Sequence, residues 1–431
     1  MSSASHRVAI IGGGWAGLAC AVEATRAGHA VSVFEAARRW GGRARTLPVT
    51  LPGGAAAVLD NGQHILIGAY TETLALMSRV GIDVDAVLER LPLSLRFPDG
   101  SGFSLPSLPS WLDRATRHVA PLDVVAGVLR ARGWSWSDKR SLLATSTRWQ
   151  DQRFRCGDGD TVDMLCRSLT PRVRAELTEP LCLSALNTVP AQASGKVFLR
   201  VLEDALFKTP GGSQLLLPRV DLGALFPEAA ADWLRRQGAQ ADAGRRVQGI
   251  APDGAGWRVD DASFDRVVLA CAPWDAARLM AELDPAWSAS ADALRHEAIA
   301  TIYLQGGISL PAPMLALRFG PRAPAQFVLD RGRLGGAHGL LAFVISASQG
   351  EREALQEQVL EQARVQLGMR NPQPVATVVE RRATFACTPG LVRPPMRLAH
   401  GLLACGDYVE GPYPSTLEGA VRSALAAAAA L

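Results

Sequence analysis

Lysine is almost missing from this 431-residue chain. Lys139, Lys196 and Lys208 are the whole supply, and arginine provides the rest of the 45 bases. Against 41 acids they leave a net charge of +4, too small to argue for a nucleic-acid partner. The arginine bias, with abundant alanine, fits a GC-rich genome better than a functional demand. Cysteine is sparse too: seven residues, odd in number, scattered, with no C-x-x-C pair. That excludes a zinc framework or a disulfide scaffold and fits reduced thiols in the cytoplasm, with no metal site. Long apolar runs are missing as well. No uncharged stretch reaches the ~18–20 residues of a membrane-spanning helix, and the alanine-rich end from Ala424 to Leu431 is too short to span. The first strand is entered by Val8, which leaves no room for a signal peptide. The expected location is therefore cytoplasmic, with any membrane contact peripheral and on the inner face.

What is present begins at residue 8. Val8-Ala9-Ile10-Ile11 reads as a buried strand, Gly12-Gly13-Gly14-Trp15-Ala16-Gly17 is a G-x-G-x-x-G turn, and Leu18 to Ala24 reads as helix. Glycines at these positions permit a tight turn, close approach of backbone to a pyrophosphate and close helix–strand packing. The helix N-terminus then presents N–H groups and a partial positive charge to the phosphates. Ala30 to Phe34 reads as the second strand and ends on Glu35, an acid placed to accept hydrogen bonds from an adenosine ribose. Near the other end, Gly401 to Cys405 reads as a short apolar strand closing on Gly406-Asp407, and Leu417 to Ala424 reads as a helix of small residues.

The loop Arg38-Arg39-Trp40-Gly41-Gly42-Arg43-Ala44-Arg45 resembles the phosphate-and-flavin loop of the amine oxidase and phytoene desaturase flavoproteins. FAD is thus the implied cofactor, in preference to NAD. The resemblance implies a cofactor set of Gly12, Gly14, Trp15, Ala16, Gly17, Glu35, Ala36, Gly42, Arg43, Gly62, Gln63, Val247, Gly406, Asp407, Leu417 and Ala420. In that superfamily the strand-end Asp holds the ribityl–pyrophosphate region, and the helix near Leu417 points backbone N–H at the flavin pyrimidine.

A cofactor site split between the two ends implies an α/β fold with a discontinuous Rossmann-like FAD-binding domain. Its segments are expected at 1–68, 191–283 and 380–431. Residues 69–190 and 284–379 would form an inserted substrate domain of mixed antiparallel sheet and helices. The first insertion looks mostly helical. The second alternates as strands at Thr301–Leu304, Gln326–Leu329 and Leu340–Ile345, followed by a helix from Glu351 to Leu367. Within the middle FAD segment, Arg246–Ile250 and Trp257–Val259 are expected to pair as a hairpin, and Arg266–Pro273 to form a buried strand stopped by proline. There is one dinucleotide fingerprint, so an NAD(P)H domain is not expected and the electron donor must be external.

Several stretches match one family: Asp60-Asn61-Gly62-Gln63-His64, Pro180 to Thr188 with its Ala185-Leu186-Asn187-Thr188, Leu217 to Leu222, Arg381 to Phe385, and Gly406 to Ser423. Over nearly its whole length the chain resembles the squalene-associated FAD-dependent enzymes, the hydroxysqualene dehydroxylases of bacterial hopanoid pathways. The resemblance implies reduction of the C30 isoprenoid hydroxysqualene to squalene with loss of water, using reduced FAD. Removing the hydroxyl needs a proton donor; protonated His64 is expected in that role, with Tyr408 and Asp60 behind it. A carotenoid-type desaturase would share the fold and run oxidatively. An amine oxidase is disfavoured, since Glu297 to Leu304 lacks the lysine those enzymes carry near the flavin. A prenyl-binding protein like the GDP-dissociation inhibitors is a non-enzymatic rival, against which the intact glycines, Glu35 and Asp407 speak. Finally, Trp111 to Trp149 combines Trp111, Trp134, Trp136 and Trp149 with seven bases and three acids, a composition suited to an anionic bilayer surface or to tryptophans packed in a helical core beneath a solvated basic face.

Overall fold

The computed structural model describes residues 5–106 and 122–431. Strand Arg7–Ile11 is buried on both faces, as its unbroken apolar run requires in the middle of a parallel sheet. It pairs in parallel with Ala30–Glu35 on one side and Arg266–Leu269 on the other. Gln240–Ala243 and Leu402–Ala404 extend the parallel sheet outward, and Arg397–Ala399 closes the far edge antiparallel. Helix Trp15–Arg26 makes the crossover between the first two strands. It packs on Leu417–Ala428 and Pro227–Arg236, and the alanines of these helices allow a close approach sealed by Val22, Leu234 and Val421.

The second layer is an antiparallel five-stranded sheet in the order Met314–Ala316, Phe327–Asp330, Leu340–Ile345, His296–Gln305, Gln373–Phe385. Helix Arg352–Leu367 covers its outer face through Leu355, Val359 and Leu360. Strand Gln373–Phe385 belongs wholly to this sheet, so position 380 falls inside a strand.

Two local expectations are corrected. The strand expected at Arg246–Ile250 begins only at Ile250, where it does pair with Gly256–Val259. Side chains occupy the preceding backbone instead. Asp260 accepts from the N–H of Gln248 and Gly249 at 2.9 and 3.1 Å, and Arg278 donates to the carbonyls of Gln248 and Val247 at 2.8 and 2.9 Å. Likewise the strand from Arg266 ends at Leu269, and Pro273 opens helix Pro273–Met280 rather than stopping a strand, since the first helical turn needs no N–H there.

The proposed bilayer stretch is also divided by the fold. Trp111 lies outside the described residues. Trp134 and Trp149 are core residues, 6% and 5% exposed, and the Trp134 indole donates to Glu176 at 2.8 Å. Among the described tryptophans of the stretch, only Trp136 faces solvent.

Candidate active site

The fingerprint turn has two kinds of glycine. Gly12 sits at φ +119°, and a Cβ there would lie 2.6 Å from the Ala270 carbonyl carbon. A Cβ on Gly17 would lie 1.8 Å from the Gly12 oxygen. Both are packing requirements. Gly14 differs: a Cβ would meet nothing nearer than the Gly42 Cα at 3.9 Å, because that side opens onto a cavity. No side chain caps helix Trp15–Arg26, so its N-terminal donors and dipole remain available to an anion. Glu35 accepts from Gly13 N–H at 2.6 Å and Ala37 N–H at 2.7 Å, which fixes its carboxylate at the cavity edge with lone pairs to spare.

The C-terminal half arrives from the other side. Asp407 follows strand Leu402–Ala404; one carboxylate oxygen accepts from Arg43 at 2.5 Å and the other from the Ser415 hydroxyl. Arg43 also donates to the Ala383 carbonyl at 2.7 Å. Burial works against the Asp407 charge, but Arg43 and Ser415 prevail and hold its carboxyl below the usual range. Thr416 caps helix Leu417–Ala428 by accepting from Gly419 N–H at 3.0 Å, so a second helix N-terminus faces the same cavity.

Between these halves runs the Asp60-Asn61-Gly62-Gln63-His64 turn. Asp60 is 2% exposed and its carboxylate accepts from Leu222 N–H at 2.8 Å. Burial raises its pKa to about 6, with Arg331 pulling the other way. The Tyr303 hydroxyl donates to the Asp60 carbonyl at 2.8 Å and accepts from the Gln63 amide at 2.8 Å, which aims the Gln63 side chain. His64 Nδ1 lies 3.2 Å from the Gly62 carbonyl, an acceptor to which Nδ1–H donates. Desolvation lowers the pKa of His64.

The cavity enclosed by these elements has a volume of about 560 Å³, within the roughly 300–1,000 Å³ typical of ligand pockets. Of the sequence-derived cofactor set, Gly12, Gly14, Trp15, Ala16, Glu35, Ala36, Gly42, Arg43, Gly62, Gln63, Val247, Gly406, Asp407, Leu417 and Ala420 line it, as do His64 and Tyr408. Gly17 and Asp60 do not. Gly17 is taken up by packing, and the Asp60 carboxylate turns away toward Leu222. His64 does line the cavity, and desolvation lowers its pKa from the ordinary imidazole value.

Sequence reading missed the wall made by Ser184, Ala185, Asn187, Trp274, Glu380 and Thr384. The Ala185–Thr188 stretch was a signal for part of it. Asn187 ends helix Glu179–Leu186 in a left-handed conformation at φ 47°, donates to the Thr384 hydroxyl at 2.9 Å and accepts from Ala347 N–H at 2.6 Å. One side chain thus ties the helical insertion to the five-stranded sheet at the cavity.

Two buried donors on the cavity wall, Trp15 Nε1 and Tyr408 Oη, have no hydrogen-bond partner among the described residues. Buried donors are normally satisfied, so both fit a wall completed by a polar ligand. Two helix N-termini at the cavity, one of them uncapped, a ribose-type acid and an Arg–Asp bracket suit a dinucleotide diphosphate with a second polar ring system. FAD fits these residues.

The fold and site thus define an FAD-dependent oxidoreductase. The model of the flavin containing amine oxidoreductases matches residues 15–431, and the chain belongs to that family. It is similar to proteins named hydroxysqualene dehydroxylase from Rhodopseudomonas palustris, 28% identical over 97% of this chain and 96% of the relative, and Zymomonas mobilis, 26% identical over 97% of each. A Synechococcus elongatus protein named "Probable zeta-carotene desaturase" is 24% identical over 46% of this chain and 48% of its own length. Among solved structures, an oxidoreductase from Methanosarcina mazei superposes with a TM-score of 0.73 at 17% identity, covering 97% of this chain and 99% of that one.

Proposed function

We propose that this flavoprotein reductively removes the hydroxyl of hydroxysqualene to give squalene. The observation that carries the reading is the turn from Asp60 to His64. It brings Gln63 and His64 into the same cavity as the Arg43–Asp407 bracket, beside the wall built by Asn187. Full-length similarity to the hydroxysqualene dehydroxylases, against a half-length match to the desaturase, supports the reductive direction.

Glu35 would hold the adenosine ribose, the N-terminus of helix Trp15–Arg26 the pyrophosphate, and Arg43 with Asp407 the ribityl side. Reduced FAD supplies the hydride that replaces the hydroxyl. Protein groups govern the other half of the chemistry, departure of the hydroxyl as water. His64 spends Nδ1 on Gly62 and leaves Nε2 for the substrate. Once Nε2 takes up a proton, the cation is a stronger acid than an ordinary imidazolium, because burial favours giving the proton away. Gln63 is fixed by Tyr303 and can orient the departing oxygen without protonating it. Tyr408 keeps its hydroxyl proton, since burial pushes its pKa far up, and offers a neutral hydrogen bond.

Anaerobic incubation of dithionite-reduced holoenzyme with hydroxysqualene in detergent tests the reading. Squalene in the lipid extract is expected. Unchanged substrate, or a more unsaturated product formed only by oxidised enzyme, would overturn it.

A further inference from the structure

One corner of the helical insertion is apolar and basic together. Helix Leu122–Arg130 ends there and helix Trp136–Asp151 begins. Trp136 is 76% exposed and Leu129 is 45% exposed, both uncommon for such large apolar side chains. The Lys139 ammonium joins them: it donates to the Leu129 carbonyl at 2.8 Å and lies 5.4 Å from the Trp136 ring centroid. Arg130, Arg132 and Arg140 are exposed around this pair. Among the described residues, the acids nearest this corner are engaged by partners: Asp99, half exposed, pairs with Arg318. Asp138 is consumed by Ser135 and by Thr170 at 2.6 Å, and Glu176 by Trp134 and Arg318. The outward charge that the described residues leave unpaired is therefore positive.

We propose that this corner, built from Leu129, Arg130, Arg132, Trp136, Lys139 and Arg140, docks the protein on an anionic lipid bilayer. Charge complementarity selects the occupant, with arginine and lysine drawn to acidic headgroups. An exposed indole beside a leucine suits the interfacial depth, where an aromatic with one polar edge is favoured. A purely polyanionic partner would leave Trp136 and Leu129 without a role. The placement also serves the proposed reaction, on which this part of the inference rests. Trp134 lies under the corner and is bonded to Glu176, whose segment leads directly into helix Glu179–Leu186, and Ser184 and Ala185 of that helix wall the cavity. A lipid-soluble substrate leaving the bilayer here would meet the element that borders the site.

The test is sedimentation of holoenzyme with vesicles of phosphatidylglycerol and phosphatidylcholine, and with phosphatidylcholine alone. Binding to the anionic vesicles that weakens with salt is expected. Each base lost should lower partitioning about fivefold, so the neutralising R130Q/R132Q/R140Q should fall roughly 100-fold and R130E/R132E/R140E further. Trp136→Ala should bind more weakly at every salt concentration, because its contribution is not ionic. All these variants should keep their flavin, and all should convert detergent-dispersed hydroxysqualene like the parent, which separates this inference from the catalytic reading. Undiminished vesicle binding by any of them would overturn the proposal. So would a parent protein that is retained on RNA or heparin but ignores the vesicles.

Discussion

Gly14 and Gly17 look alike in the sequence and differ in what surrounds them. A side chain at Gly17 strikes backbone, so Gly17→Ala should be misfolded or insoluble. A side chain at Gly14 enters only the cavity. Gly14→Val should therefore fold, with unchanged secondary structure by circular dichroism, and lose FAD on purification. A Gly14→Val protein retaining full flavin would place the pyrophosphate elsewhere. His64 allows a second test at the same scale. Its pKa is lowered from the ordinary 6.5 by burial, with the Gly62 carbonyl pulling the other way and the Arg43 charge adding to the fall. The cation gains population only as pH falls toward and below that lowered value. If it is the proton donor, single-turnover squalene formation by pre-reduced enzyme should rise as pH drops from neutral. His64→Gln should lose that rise and ~10²–10⁴-fold in rate, the usual worth of general acid catalysis. Tyr408→Phe should keep the rise. The opposite pairing would assign the proton to Tyr408.

At the scale of elements, Asp60 couples strand Ala56–Asp60 to the segment around Leu222 and is raised on folding from 3.8 to about 6. The folded chain therefore holds this proton through a window in which the unfolded chain has released it. Stability falls as pH rises across that window and stays low above it, by about 3 kcal/mol for a shift of this size. Asp60→Asn cannot ionise. Its stability relative to the parent, read from urea midpoints, should improve by up to about that amount between pH 4 and 6.5. A constant difference across the range would mean that Asp60 ionises as an ordinary carboxylate. The elements also show where sequence is legible. The strand–turn–helix at Val8 to Arg26 and the Gly406–Leu417 ending were readable because local pattern and glycine geometry determine them. The strands and helix between Thr301 and Leu367 were readable from their periodicity. Residues 245–249 were not, because Asp260 and Arg278 satisfy their backbone from a distance. Trp134 could not be placed for a similar reason: its partner Glu176 is 42 residues away, and composition cannot tell a tryptophan with such a partner from an exposed one.

For the whole molecule, the decisive feature is the pairing of one parallel sheet with one antiparallel sheet around a shared cavity. The parallel sheet carries one dinucleotide fingerprint, at Gly12 to Gly17, and Glu35 and the Arg43–Asp407 bracket commit that site to FAD. The proposed reaction would then draw its electrons from a separate donor, and NADPH alone should leave the oxidised flavin spectrum unchanged under anaerobic conditions. The antiparallel sheet contributes Ile299, Glu380 and Thr384 to the cavity wall, where the proposed substrate would lie. Strand His296–Gln305 passes close to the flavin side of the cavity: a Cβ placed on Gly62 would lie 4.0 Å from the Thr301 hydroxyl, and Ile299 lines the wall. This strand has no lysine, and Thr301 and Ile299 carry no basic amine. Benzylamine, polyamines and amino acids should therefore fail to reduce the flavin in anaerobic stopped-flow, while squalene or hydroxysqualene in detergent should perturb its absorbance. Rapid bleaching by any of these amines would return the protein to amine chemistry, whatever its similarity to the dehydroxylases.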